Sequence, residues 1–288
     1  MMGAPPLLRL ARPTHWIKNG FVLMPLPFAV VSGGRVEPLA LALGLVGFCF
    51  VNSAVYVFND LLDATADRLH PTKRLRPVAS GEVSPTQAAL FLAVLAATGL
   101  GMLVATGHRG APLLALVYIA VNVAYSLGAK RKALLDVFLV SSGFVIRVIL
   151  GCALVGVVPS NWLLLCSSSL ALFLGFAKRR GDLFENVSTE HRPSLAGYTM
   201  GFLDHGMTIA TCVALLSYAL YSMDSAILRP GREMASMPFV VYGVLFYLRE
   251  VHAKGSGGSP VEIALGSRTV WACMIGWALA VTWSLGLW

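Results

Sequence analysis

Apolar residues in this chain occur in long unbroken runs and do not alternate with polar ones. A membrane-crossing helix needs about 20 predominantly apolar residues. Such runs lie at 17–32, 38–58, 86–106, 111–128, 134–157, 160–177, 203–223, 234–248 and 269–288, and they predict nine spans. Pro25 and Pro27 interrupt the first, which is therefore expected to be kinked or partly interfacial. A closed membrane β-barrel would need alternating strands. The pattern predicts an all-α polytopic membrane bundle forming a single domain over residues 1–288.

Composition agrees with the pattern. Of 288 residues, 57% are hydrophobic and 12% charged, against about 25% charged in soluble domains. Mean hydropathy is +0.73. A soluble fold, a disordered chain, a coiled coil and a secreted disulfide scaffold are excluded. Cys49, Cys152, Cys166, Cys212 and Cys273 lie inside apolar stretches without a CxxC pair, and they read as small packed hydrophobes. The six histidines are scattered with no HxxxH spacing, so no haem or zinc is expected. The opening MMGAPPLLRLARPTHW lacks the apolar core of a signal peptide.

The net charge of +8 matters through its distribution. With the N-terminus inside, 17 of the 22 lysines and arginines fall on the inner side. Arg35, Arg109, Arg229 and Arg232 fall outside, and Arg147 lies within a span. The positive-inside rule then predicts a cytoplasmic N-terminus in the plasma (inner) membrane, and no nucleic-acid partner. Among the inner segments, 59–85, 178–200 and 249–268 are long and charged, as functional loops tend to be. Together with 129–133 they are expected to form the site around a cytoplasmic-facing polar cavity. The GSGGS stretch at 255–259 reads as a flexible connector, because no Lys-Ser/Thr follows it.

The segment 59–81, NDLLDATADRLHPTKRLRPVASG, carries the chemistry. On a helix, Asp60, Asp63 and Asp67 fall within about 60° of one another, with Asn59 beside them. Such a stripe of carboxylates needs a cation, and oxygen-only donors suit Mg²⁺, which completes its shell with water and phosphate oxygens. Arg68, His70, Lys73, Arg74 and Arg76 follow at once. Metal-binding carboxylates beside fixed cations are what a diphosphate leaving group requires. The bland alternative is a solvated helix end whose charges pair locally.

Asn59-Asp60-x-x-Asp63-x-x-x-Asp67, followed by His70-Pro71-x-Lys73-Arg74-x-Arg76-Pro77 and Gly81, resembles the first aspartate-rich motif of the UbiA superfamily. The likeness extends over nearly the whole chain. It implies a nine-helix intramembrane transferase that uses Mg²⁺ and a diphosphate-bearing substrate. Further segments resemble one branch, the decaprenyl-phosphate phosphoribosyltransferases. They are Arg12-Pro13 with His15, Trp16, Lys18 and Asn19; Tyr125, Ser126, Leu127 and Lys130; Asp136 and the stretch around Arg147; Phe176 to Arg179; Tyr198 and Thr199; and Tyr247, Arg249, Glu262 and Arg268. Where aromatic prenyltransferases of the superfamily carry a second aspartate-rich motif, this chain has AKRRGDLFE, with Lys178, Arg179 and Arg180 before a lone Asp182 and Glu185. Bases there suit a second phosphate better than a second metal.

The resemblance implies Mg²⁺-dependent transfer of 5-phosphoribose from phosphoribosyl diphosphate to a polyprenyl (decaprenyl) phosphate, towards a lipid-linked arabinose precursor. Asp60, Asp63 and Asp67 are the expected catalytic residues, and with Asn59 the metal ligands. The expected substrate-binding residues are Lys18, Lys73, Arg74, Arg76, Tyr125, Lys130, Arg147, Lys178, Arg179, Tyr198 and Glu262. For Arg147 a structural role and a substrate contact both stand open, as do capping and a substrate role for Asp136. His15 and Trp16 read as interfacial anchors. Two rivals remain: a prenyltransferase joining a polyprenyl diphosphate to an aromatic acceptor, and a transporter, which would carry internal repeats and polar residues along several spans. A homo-oligomer is left open.

Overall fold

The computed structural model describes residues 5–31, 36–185, 192–224, 228–254 and 266–287. Among them no strand occurs, and every long element is a helix. The chain divides into two compact units, Met1–Lys130 with Ile146–Val158 and Arg131–Val145 with Pro159–Trp288.

The first unit begins with α1 (Pro6–Ala11), a 3₁₀ segment (Pro13–Leu23) and α2 (Leu26–Val31). The first apolar run is thus not a continuous helix. Pro25 and Pro27 lack the N–H that an α-helix would use there, so the chain turns at Met24 and restarts at Leu26. Next come α3 (Pro38–Arg68), α4 (Pro85–Ala105) and α5 (Gly110–Leu127). Its last piece is the C-terminal part of α6 (Leu135–Leu154).

The 31 residues of α3 span about 46 Å at 1.5 Å per residue. That exceeds a hydrocarbon core of about 30 Å, so an apolar stretch long enough to cross is followed by polar turns carrying Asn59 to Asp67. Ser84 starts α4 with a reciprocal capping box to Gln87, and Pro85 occupies the first turn. The two helices cross closely at Gly47 and Gly99. A Cβ added to Gly47 would stand 2.9 Å from the Gly99 carbonyl oxygen, and one added to Gly99 would stand 2.7 Å from that of Gly47. Small residues bring backbones together in this way inside membranes. Beside the polar end of α3, Leu10, Ala54, Val57, Val78, Val83 and Ala88 form a core that folds the 69–84 loop back against the helix.

The second unit comprises the start of α6, α7 (Asn161–Phe184), a 3₁₀ turn (Pro193–Gly197), α8 (Met200–Asp224), α9 (Met237–Lys254) and α10 (Arg268–Ser284). Side-chain caps from Ser160 and Ser267 open α7 and α10. α7 and α8 pack along their length around Phe173, Phe176, Leu203, Met207 and Tyr247.

Among the described residues, six helices, α3 to α8, are long and apolar enough to cross a membrane. α9 carries Arg249, Glu250 and Lys254 within its 18 residues, and α10 has 17 residues. Exposed Leu90, Val94, Leu113, Leu116, Ile209 and Leu216 on α4, α5 and α8 form apolar surface of the kind a lipid-embedded protein presents. The chain is an integral membrane protein.

Candidate active site

Three segments of the first unit converge on the polar end of α3. The αL residue between α1 and the 3₁₀ segment is Arg12 (φ 51°, ψ 56°). Its Nη2 donates to Asp60 Oδ1 at 2.5 Å, and its guanidinium carbon lies 5.1 Å from the Tyr56 ring centre. The folded-back loop supplies Arg76, whose Nη1 donates to Asp67 Oδ2 at 2.6 Å and to Asp60 Oδ1 at 3.2 Å. The end of α5 supplies Ser126, donating to Asn59 Oδ1 at 2.5 Å, and Lys130, whose Nζ lies 2.7 Å from Asp63 Oδ1. Asp60 is 2% exposed, while the Asp63 side chain is 35% exposed.

The expected helical stripe is therefore present, and each member has a partner from elsewhere in the chain. Among the described residues, no three His, Cys, Asp or Glu side chains already form a metal-binding cluster. The donor set nevertheless fits Mg²⁺. All four groups offer hard oxygen, and Mg²⁺ usually takes only one or two carboxylates beside phosphate and water. Asp60 and Asp67 are neutralised by two guanidinium groups, which together carry the charge of one divalent cation.

Beside these carboxylates lies an open cavity of about 370 Å³ lined by Arg9, Thr72, Lys73, Leu75, Arg76 and Pro77. Arg9 also pairs with Glu82, while its Nε is buried with no hydrogen-bond partner. Arg74 is exposed on the same loop. Lys18 and Tyr125 are half-buried on the 3₁₀ segment and on α5.

Arg147, 4% exposed, sits deeper in the first unit. Its Nε donates to Asn19 Oδ1 at 2.8 Å and its Nη2 to Tyr118 Oη at 3.4 Å. Its guanidinium carbon is 5.2 Å and 5.0 Å from the Phe48 and Tyr118 ring centres. Aromatic faces lower the cost of holding a cation away from water.

The second unit has its own polar centre. Asp136, fully buried, accepts from Arg179 Nε at 2.5 Å, Ser194 Oγ at 2.8 Å and Tyr198 Oη at 2.6 Å. Tyr198 Oη in turn accepts from the Leu134 backbone N–H at 2.6 Å, where Leu134 holds a positive φ of 66°. Burial, and next the hydrogen bond to Asp136, push the Tyr198 pKa far above its ordinary value. Asp182 pairs with Arg179 at 3.4 Å and with Arg192. Arg180 pairs with Asp204 at 2.6 Å, and Lys178 is half-buried. Glu262 and the GSGGS stretch lie outside the described residues.

Arg12 and Ser126 took part in the sequence motifs without an assigned role, yet both bond the aspartate stripe. Their partners lie 48 and 67 residues away, beyond the reach of any local spacing rule.

The chain matches known proteins over most of its length. The chain is 34% identical over 286 residues to the decaprenyl-phosphate phosphoribosyltransferase of Corynebacterium glutamicum, covering 96% of this chain and 85% of the relative. It is likewise 34% identical to the protein of that name from Mycobacterium tuberculosis, covering 96% and 92%. Among solved structures, a UbiA homolog from Archaeoglobus fulgidus bound to DMAPP and Mg²⁺ superposes with a TM-score of 0.73. That match covers 97% of this chain and 98% of the other at 19% identity, and it establishes the shared fold. The UbiA prenyltransferase family model matches residues 21–257, so the chain belongs to that family.

Proposed function

We propose that this protein transfers 5-phosphoribose from phosphoribosyl diphosphate to a polyprenyl phosphate and releases diphosphate. The observation that carries this reading is 34% identity, over nearly the full length, to proteins named decaprenyl-phosphate phosphoribosyltransferase. The aspartate end of α3, ringed by Arg12, Arg76 and Lys130, supplies the chemistry such a transfer needs.

Asn59, Asp60, Asp63 and Asp67 would hold Mg²⁺. Bound there, the metal would neutralise the diphosphate as it leaves. Lys73, Arg74 and Arg76 bind phosphate oxygens, and Lys130 adds positive charge beside Asp63. The C1–O bond of the ribose breaks as diphosphate departs, C1 gains oxocarbenium character, and a phosphate oxygen of the lipid forms the new bond. No protein nucleophile is required. The residues' task is to fix the leaving group and supply charge where it develops.

A prenyl transfer with a second metal would need a second set of hard donors. Asp182 is a single carboxylate between the guanidinium groups of Arg179 and Arg192, which favours the phosphoribosyl reading. The basic residues flanking the aspartate end support a cytoplasmic site in the inner membrane, and the apolar runs outside α3 to α8 would complete nine spans.

The test is a transfer assay in nanodiscs with labelled phosphoribosyl diphosphate, decaprenyl phosphate and Mg²⁺. Label should enter the lipid phase, and it should stay in water with EDTA or in Asp60→Ala. A folded protein that instead consumes a polyprenyl diphosphate and an aromatic acceptor overturns the reading.

A further inference from the structure

We propose that Arg12 and Arg76 are resident counterions of the aspartate stripe, and that a phosphate in the adjoining cationic cavity draws Arg76 away before a divalent cation takes its place. Diphosphate and metal then bind as a pair, not independently. This deepens the reading of the α3 end as a diphosphate site and rests on it.

Three observations carry the inference. First, the donor oxygens already have partners: Asp60 Oδ1 takes both Arg12 and Arg76, Asp67 takes Arg76, Asp63 takes Lys130 and Asn59 takes Ser126. A dication arriving alone meets two guanidinium charges at its binding oxygens, and like charges at such distances repel strongly where water is scarce.

Second, Arg12 is aimed there by its backbone. A left-handed conformation is uncommon for a residue with a side chain, and strained residues of this kind cluster where function requires them. Tyr56 supports the guanidinium from below. Arg12 is thus built into the fold as a fixed charge beside Asp60.

Third, Arg76 has two environments. It bridges Asp60 and Asp67, and it also lines the cavity with Arg9 and Lys73. Arg9, Lys73 and Arg76 make that cavity cationic. A phosphate oxyanion there would compete with the two carboxylates for Arg76. Once Arg76 turns to phosphate, Asp67 regains its negative charge and Asp60 keeps Arg12 alone, which leaves net negative charge to attract a divalent cation. By linkage the coupling is reciprocal: metal at the carboxylates strengthens the hold on phosphate by the same factor.

The experiment titrates Mn²⁺ into the purified protein in nanodiscs, following free Mn²⁺ by electron paramagnetic resonance, with and without inorganic pyrophosphate. Blanks without protein correct for Mn²⁺–pyrophosphate complexes. The expected result is Mn²⁺ affinity at least about tenfold higher with pyrophosphate, within the range of known coupling energies. R12Q and R76Q should each tighten Mn²⁺ binding in the absence of pyrophosphate by about tenfold, and R76Q should also shrink the coupling. R12K, which keeps the charge, should stay close to wild type. Equal Mn²⁺ affinity with and without pyrophosphate in the wild type overturns the proposal, as does weaker or unchanged Mn²⁺ binding in R12Q that melts at the wild-type temperature. If R12Q does not fold, the wild-type coupling and R76Q decide the matter. Because only Mn²⁺ and pyrophosphate are used, the outcome is independent of which acceptor the transfer assay identifies.

Discussion

Asp60 in the first unit and Asp136 in the second are both buried and both face arginine. Their surroundings differ in who can reach the pair. Around Asp60, the side chains of Arg12 and Arg76 are 22% and 27% exposed. Arg179 beside Asp136 is 3% exposed, and Ser194 and Tyr198 occupy the same carboxylate. Water and ions can compete for the first pair. The second is closed by donors from α7 and the turn at 193–198. A carboxylate whose cations remain accessible can exchange partners, whereas one whose cations are sealed serves the fold.

Substitutions should separate the two carboxylates. Asp60→Ala should lower transfer by about 10³-fold, as loss of a group that stabilises developing charge does, while the melting temperature moves little because the Arg12 and Arg76 side chains already reach water. Asp136→Ala should do the opposite. It strands Arg179 without its buried partner, at a cost of about 3–5 kcal/mol, visible as an early thermal transition in detergent. Equal melting of the two variants would erase the distinction. Arg147→Met leaves Asn19 Oδ1 without its donor and should cost about 1–3 kcal/mol of stability with transfer retained. Lost transfer at unchanged stability would instead make Arg147 a substrate contact.

The smallest effect concerns Tyr198. Its raised pKa keeps the phenol protonated in the folded protein, while the unfolded chain ionises near pH 10. Above that pH the unfolded state binds fewer protons, so stability falls by about 1.4 kcal/mol per pH unit from this group. Tyr198→Phe should flatten that alkaline slope, read from melting temperatures across the range, and should remove one late-ionising tyrosine from the ultraviolet titration.

The helical architecture and the aspartate stripe were legible in the sequence because both are local. Apolar runs longer than a bilayer leave few alternatives, and Asp60, Asp63 and Asp67 share a face through helix geometry alone. What surrounds them was not local. Arg12 reaches Asp60 across 48 residues and Lys130 reaches Asp63 across 67, and no periodicity encodes either meeting. Arg179 shows the same limit from the other side. Its sequence context suggests a phosphate ligand, and only the fold reveals Asp136, 43 residues away, as its partner. Pro25 and Pro27 mark the break in the first apolar run, and the structure shows its form, a 3₁₀ segment followed by a short helix.

The most direct test follows two labels in one reaction. Phosphoribosyl diphosphate labelled separately in the ribose and in the β-phosphate would be incubated with the protein, Mg²⁺ and decaprenyl phosphate. The account predicts ribose label in the lipid and β-phosphate label left in water as diphosphate, both abolished in Asp60→Asn. Ribose label remaining in water, or both labels moving together into lipid, would contradict it.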